Sequence, residues 1–218
     1  SAASSGDAEA VRVLLEHPEI DLAPKHERYY YPLSQAIITG HAEIVRMLVE
    51  KGASIHSSGE GMHPPIVVAV EYGQREIFEY LLEKGASVNE INEKTGWNAV
   101  QTAVDKNNLQ FLNRLLELGA DPNARQFDGW SAPHMAVMNG NARMLKRLLE
   151  AGADVNQTTK NGRSLMHQAI KSNHPRLVTM LLEHGHALDQ ADPQGLTPLA
   201  YAEEQDRPEI VALLKAAS

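Results

Sequence analysis

The sequence predicts an all-α protein, a solenoid of stacked helix–turn–helix units that recur about every 33 residues. One observation is a step of Gly-Ala followed by Asp or Ser, which begins at Gly52, Gly85, Gly119 and Gly152. A second is an alanine that recurs in the same rhythm, at Ala36, Ala69, Ala103, Ala136, Ala169 and Ala202. A third is an apolar pattern at i, i+1, i+4 and i+5, as in Ile44, Val45, Leu48 and Val49, which is typical of one face of an α-helix.

Each period has the same order of elements. A short first helix ends at the recurring alanine, and a breaker follows at Gly40, Gly73, Asn107, Gly140 or Asn173. The second, apolar-patterned helix then ends at a glycine, which suits a left-handed C-cap. The polar stretch after it predicts a turn or β-hairpin. One extra residue near Glu93 to Thr95 is expected to lie in such a loop.

Several segments carry a family resemblance. Thr197-Pro198-Leu199-Ala200-Tyr201-Ala202 is close to the T-P-L-H-x-A opening of an ankyrin repeat, and residues 152–157 read Gly-Ala-Asp-Val-Asn-Gln. The units therefore resemble ankyrin repeats along essentially the whole chain. The resemblance implies an ankyrin-repeat solenoid with β-hairpin or turn fingers, whose first helices and finger tips line a concave side.

We expect a single domain over residues 1–218. Its approximate units are 1–27 (partial), 28–60, 61–94, 95–127, 128–160, 161–193 and 194–218. Because the chain opens inside a unit, we expect the native polypeptide to continue upstream. The fourth unit departs furthest from the pattern at its first-helix opening, Asn98-Ala99-Val100-Gln101, so we expect it to be the weakest.

Composition excludes several functions. The 218 residues include 20 Lys and Arg against 28 Asp and Glu, a net charge of −8 that disfavours nucleic-acid binding. No apolar run is long enough for a membrane, and cysteine is absent. No phosphate-binding, nucleophile or metalloprotease motif occurs, so we expect neither an enzyme nor a cofactor. His184 and His186 lie close together but lack a completing ligand set, so we expect no metal.

The resemblance implies a non-catalytic protein–protein interaction scaffold that binds a peptide or protein partner on its concave face. It also implies a monomer inside the cell, in the cytoplasm. An alternative is a regulatory or substrate-recruiting ankyrin segment of a larger enzyme or signalling protein. His134 and His167 occupy the family's histidine slot, and we expect them to hydrogen bond between neighbouring turns.

Candidate partner-binding residues follow from the register. The residue just before each T-P-L-H slot is expected to project from the finger toward the concave side, and a second set lies at or just after the ends of first helices. Exposed Trp, Tyr and Arg are the side-chain types that dominate binding energy. The predicted binding residues are Tyr30, Ile38, His63, Tyr72, Trp97, Lys106, Phe127, Trp130, Met138 and Arg163. The alternative role of the large finger residues is packing between adjacent hairpins.

Overall fold

The computed structural model describes residues 2–17, 20–22, 31–56 and 61–218. Fourteen α-helices lie in these ranges: α1 Ala2–Ser5, α2 Ala8–Leu15, α3 Pro32–Thr39, α4 Ala42–Glu50, α5 Pro65–Glu71, α6 Arg75–Glu83, α7 Ala99–Asp105, α8 Leu109–Glu117, α9 Ala132–Met138, α10 Ala142–Glu150, α11 Leu165–Lys171, α12 Pro175–Glu183, α13 Pro198–Glu204 and α14 Pro208–Ala217. The chain divides into two compact parts, the N-terminal part (Ser1–Thr102) and the C-terminal part (Ala103–Ser218).

Within each part, like helices stack on like. In the N-terminal part α1, α3 and α5 pack in succession, as do α2, α4 and α6. In the C-terminal part the first helices α9, α11 and α13 form one row and the second helices α8, α10, α12 and α14 form the other. This arrangement confirms the predicted all-α stack of helix–turn–helix units, in which each repeat buries its apolar faces against its neighbours.

The recurring alanines lie where first helices meet. Ala36, Ala69, Ala136 and Ala169 have no exposed surface, and a methyl group at this position lets neighbouring helices approach closely. The first helices continue two or three residues beyond this alanine, as α3 does from Ala36 to Thr39, so the prediction that they end there was slightly short. The apolar residues Val11 and Leu15 of α2 are buried, whereas Leu14, which lies outside the i, i+1, i+4, i+5 pattern, is half exposed.

The predicted breakers and caps both adopt the left-handed backbone. Asn107 has φ 52° and Gly140 has φ 66°, which turns the chain from a first helix into a second. After the second helix α10, Gly152 has φ 91° and the next amide, Ala153 N, donates to the carbonyl of Leu148 at 3.0 Å. This is the hydrogen bond of a Schellman cap, and it satisfies a carbonyl left without a partner at the helix end.

Short fingers connect one repeat to the next. We call fingers the segments 92–97, 126–130, 159–163 and 192–196. In each, the amide of the first residue donates to the carbonyl of the last, at 2.7 to 3.0 Å. Isolated antiparallel bridges flank three of them, such as Arg125 with Ser131. The finger at 92–97 is one residue longer than the others, which places the extra residue where the repeat spacing predicted it. Among the described helices, none is long and apolar enough to span a membrane.

Candidate partner-binding surface

The last residue of each finger belongs to the set predicted to project from the repeats. These residues are Trp97, Trp130, Arg163 and Leu196, and all four are half-buried. Each offers its backbone carbonyl to close its finger, as Trp130 O does for Gln126 N at 2.7 Å. The backbone at this position is therefore held by the finger, while the side chain is shared between packing and solvent.

In the N-terminal part, Trp97 packs beside His63. Their ring centroids are 6.5 Å apart with planes tilted by 59°, so two of the predicted binding residues come together. The indole Nε1 of Trp97 donates to Thr102 Oγ1 at 2.6 Å. Burial lowers the pKa of His63, an effect that the nearby carboxylate of Glu71 opposes. The Trp97 ring thus takes part in packing between fingers and still presents a surface.

In the C-terminal part, Trp130 packs edge-on against His134, with ring centroids 5.6 Å apart and planes at 65°. Phe127, in the same finger, is 49% exposed. Arg163, in the next finger, is half-buried, and its carbonyl accepts a hydrogen bond from the ring of His134. An exposed phenyl group beside a partly buried indole is an arrangement that a partner side chain can cover.

The predicted binding residues at or just after the ends of first helices differ in how exposed they are. Tyr72, which directly follows α5, is 47% exposed, and Met138, the last residue of α9, is 45% exposed. Lys106 is also exposed, and its ammonium lies 3.3 Å from the carboxylate of Asp105. Ile38, within α3, is half-buried rather than open to solvent. Tyr30 lies outside the described residues.

The two slot histidines link neighbouring repeats, as the sequence predicted. The Nε2 atom of His134 lies 3.4 Å from the carbonyl oxygen of Arg163 in the next repeat, and Nδ1 lies 2.8 Å from Ser131 Oγ. Because a carbonyl can only accept, Nε2 donates and Nδ1 accepts from the hydroxyl. Burial lowers the pKa of His134 to about 4, against the opposing effect of its bond to the Arg163 carbonyl. His167 makes the equivalent pair of bonds, to Ser164 and Leu196.

Asparagines at the end of the turns Gly-Ala-Asp-Pro-Asn (119–123) and Gly-Ala-Asp-Val-Asn (152–156) connect repeats as well. Asn123 Oδ1 accepts from Asp154 N at 2.7 Å, and its Nδ2 donates to Gly152 O at 3.1 Å. Asn156 Oδ1 likewise accepts from Ala187 N at 2.8 Å. These side chains therefore connect one turn to the next. Asn123 and Asn156 each precede the backbone amide that they bind by 31 residues, and this constant spacing is the feature of the sequence that could have predicted the contact.

A cleft that the sequence did not predict opens between the last two fingers of the C-terminal part. It has a volume of about 570 Å³, and its lining includes Lys160, Arg163, His167, Asp192 and Tyr201. Tyr201 packs edge-on against His167, with ring centroids 5.3 Å apart. Tyr201 directly precedes the recurring alanine Ala202, at a position that holds no aromatic residue in the other repeats.

Within the described ranges, no group of three or more His, Asp or Glu side chains is placed to hold a metal ion. His134 directs both ring nitrogens at protein atoms, whereas His186 directs only Nδ1, which lies 2.8 Å from the carbonyl oxygen of Ala187, and its buried Nε2 has no hydrogen-bond partner among the described residues. The geometry of the surface therefore provides stacking, apolar contact and charge for recognition.

Comparison with known proteins agrees with this architecture. The family model for ankyrin repeats matches residues 1–59, 58–126 and 133–218. The chain is also 32% identical over 112 residues to the ankyrin repeat protein nuc-2 of Neurospora crassa. That match covers 51% of this chain and 10% of the Neurospora protein, so the chain corresponds to only a tenth of that relative.

The chain belongs to the ankyrin repeat family, because the family model covers nearly all of it and the helices stack in ankyrin fashion. Ankyrin repeats generally mediate protein–protein interactions and are typically not catalytic. The class of function is therefore protein binding.

Proposed function

We propose that this chain is a non-catalytic interaction module that binds a peptide or protein through the finger face, which we define as the surface formed by the fingers and the first helices. The observation that carries this proposal is the exposure of Phe127 and Met138, which lie before and after the half-buried Trp130 along the sequence of the C-terminal part. Large apolar side chains in water are a cost that a partner relieves by covering them.

The N-terminal part supports the same use of the finger face. Tyr72 is nearly half exposed after α5, and Trp97 and His63 present neighbouring rings. Tyr and Trp bury a large area with few rotatable bonds, so they bind a partner at low entropic cost. A net charge of −8 opposes nucleic acid as the partner.

A second candidate is that the chain recruits or regulates within a larger enzyme or signalling protein. The support for it is the match to a Neurospora protein of which this chain corresponds to 10%. Both candidates require the same binding surface, so the surface is the first thing to test.

The test starts from a random peptide library displayed on phage, selected for binding to the immobilised chain. Binding of a selected peptide is then measured by fluorescence anisotropy for the wild type and for the double variant Phe127→Ser/Met138→Ser. We expect a loss of about tenfold or more, because each truncation removes an apolar contact worth roughly 1 kcal/mol. Both side chains are exposed, so circular dichroism should show an unchanged fold.

The matched control is Leu118→Ser, which removes an exposed apolar side chain just after the second helix α8. We expect it to change the affinity by less than about twofold, since surface substitutions away from a contact have small effects. If the library yields binders that the double variant holds as tightly as wild type does, the finger face is not the binding surface.

A further inference from the structure

The cleft between the fingers 159–163 and 192–196 is the strongest unassigned feature of the C-terminal part. We propose that it is a subsite for an acidic side chain, the carboxylate of a Glu or Asp residue in the peptide that the finger face binds. This inference rests on the proposed function and specifies the chemistry of its partner.

The charges around the cleft favour an anion. Lys160 and Arg163 both line it, and neither side chain forms an ion pair within the part of the chain that the structure describes. Asp192 is the opposing carboxylate, and its Oδ1 accepts the amides of Gln194 and Leu196, each at 2.9 Å. Two cations without carboxylate partners thus face one anion that is already held by its own finger. The cleft is therefore locally positive, although the chain as a whole has a net charge of −8.

The two cations are carried on fixed backbone. Lys160 N donates to the carbonyl of Asp128 in the preceding finger at 3.1 Å. Arg163 N donates to Thr159 Oγ1 at 3.3 Å, and the carbonyl of Arg163 closes the finger by accepting from Thr159 N at 3.0 Å. Because the backbone is already fixed, only the side chains lose freedom when their charged ends meet a ligand. A guanidinium can also bind a carboxylate with two parallel hydrogen bonds.

The remaining walls offer contact without competing charge. The Nε2 atom of His167 donates to Leu196 O at 3.1 Å and Nδ1 lies 2.7 Å from Ser164 Oγ, so neither ring nitrogen is directed at a ligand. Tyr201 packs on that ring and turns part of its own surface to the cleft. The methylene groups of a Glu side chain can therefore lie against Tyr201 while its carboxylate reaches Lys160 and Arg163.

The volume fits one side chain and its flanking backbone rather than a folded domain. At about 570 Å³ the cleft lies within the range of sites that hold small ligands. A lysine side chain would meet two positive charges there, and a purely apolar side chain would leave both cations to lose water without a partner. Charge complementarity thus selects the acidic residue.

The experiment uses the phage-displayed random peptide library on the whole chain. We expect the peptides selected by wild type to be enriched in Glu or Asp at one position. Changing that residue to Gln or Asn should weaken binding about five- to thirtyfold, the usual effect of losing a charge-assisted hydrogen bond. In the variant Lys160→Glu/Arg163→Glu, the preference for the acidic peptide should be lost or reversed, because two new carboxylates then repel it.

A matched control keeps the same change in net charge elsewhere. Arg143→Glu/Lys146→Glu reverses two exposed cations on the second helix α10 and should preserve the preference for the acidic peptide. Circular dichroism confirms that both double variants are folded. A phosphoserine peptide provides a further arm, and binding more than about tenfold tighter than the Glu peptide would replace the carboxylate with a phosphoryl group as the ligand.

The outcomes separate this subsite from the general function. If wild type selects peptides with no acidic preference, or if the Lys160/Arg163 reversal leaves that preference intact, the subsite is wrong while peptide binding stands. If wild type selects no peptide at all, peptide binding and the subsite both fall.

Discussion

Asn98 and Gln101 cap each other's backbone at the start of α7. The amide of Gln101 donates to Asn98 Oδ1 at 3.0 Å, and the amide of Asn98 donates to Gln101 Oε1 at 3.1 Å. Both side chains are buried. This reciprocal capping box satisfies two amides that a helix start leaves without partners. The fourth repeat, which diverges most from the T-P-L-H pattern, therefore replaces the pattern with another cap.

We expect Gln101→Ala to lower the free energy of unfolding by about 1–2 kcal/mol, because it removes a cap and leaves a buried amide unpaired. Equilibrium unfolding in urea measures this. Gln110→Ala, at an exposed position in the first turn of α8, is the matched control and should change stability by less than about 0.5 kcal/mol. Equal stability of the two variants would show that the capping box contributes little.

Gly129 allows two fingers to approach each other. Its φ is 88°, and a Cβ at this position would lie 2.5 Å from the backbone nitrogen of Lys160. Gly152 has nearly the same φ, 91°, but a Cβ there would meet nothing within 4 Å. We expect Gly152→Ala to cost about 1 kcal/mol for the left-handed backbone, and Gly129→Ala to cost at least about 1 kcal/mol more, because the obstructing atoms belong to the backbone.

Urea unfolding of the two glycine variants gives the comparison directly. Since the two backbones are matched, the difference between the variants isolates the crowding between fingers. A Gly129→Ala variant as stable as Gly152→Ala would mean that the fingers separate at little cost.

The buried ring of His134 should make stability depend on pH. Its pKa in the folded chain is lowered to about 4 from the usual 6.5, so the unfolded chain binds more protons between these values. The stabilisation is complete above pH 6.5 and is lost as the pH falls toward 4. Between pH 7 and pH 5, His134 alone should lower the free energy of unfolding by about 2 kcal/mol. Burial also lowers the pKa of His186 to about 4, which adds to the effect.

His134→Gln should reduce this acid sensitivity by about 2 kcal/mol, measured as the difference in urea unfolding at pH 7 and pH 5. Glutamine already occupies the equivalent slot as Gln101. The titration of the His134 ring can also be followed by NMR. A midpoint near 6.5 in the folded chain would contradict the assignment.

The hydrogen bond between Trp97 and Thr102 can be tested separately from binding. Thr102 is buried, and its Oγ1 accepts from the indole at 2.6 Å and donates to Asn98 O at 2.9 Å. Thr102→Val should cost about 1–2 kcal/mol, since it removes the hydroxyl and leaves the indole N–H without its acceptor. Thr102→Ser keeps the hydroxyl and loses one methyl group, at about 0.8 kcal/mol.

The NMR resonance of the Trp97 indole N–H reports on the same bond. It should move in Thr102→Val and stay close to its wild-type position in Thr102→Ser. If both substitutions shift it equally, the hydroxyl is not the acceptor.

The periodic features of the fold could be predicted from sequence, because one environment recurs at each matching position. The left-handed breaker Gly140, the buried Ala136 and the link from His134 to the next repeat all follow from a single register. The place of the extra residue in the finger 92–97 could be predicted because the interval between the recurring alanines Ala69 and Ala103 is one residue longer than the others.

Contacts that depend on which particular neighbours meet could not be predicted in this way. The cleft beside Tyr201 is such a case, since it combines residues from two fingers and a helix. The cap between Asn98 and Gln101 is different: the T-P-L-H pattern gave no sign of it, but the Asn-x-x-Gln spacing is itself a capping-box signature in the sequence. The degree of exposure of the predicted binding residue Ile38, which is half-buried, could not be predicted from the register alone either.

The longer finger at 92–97 has a practical consequence. Its tip takes up an additional residue while the amide of Asn92 still reaches the carbonyl of Trp97 at 2.7 Å, so the closing bond survives the change in length. Finger tips are thus the natural place to graft an epitope or a reporter dye into this chain, whereas an insertion at the tight turns between paired helices would disturb the left-handed residue, such as Gly140, that joins them.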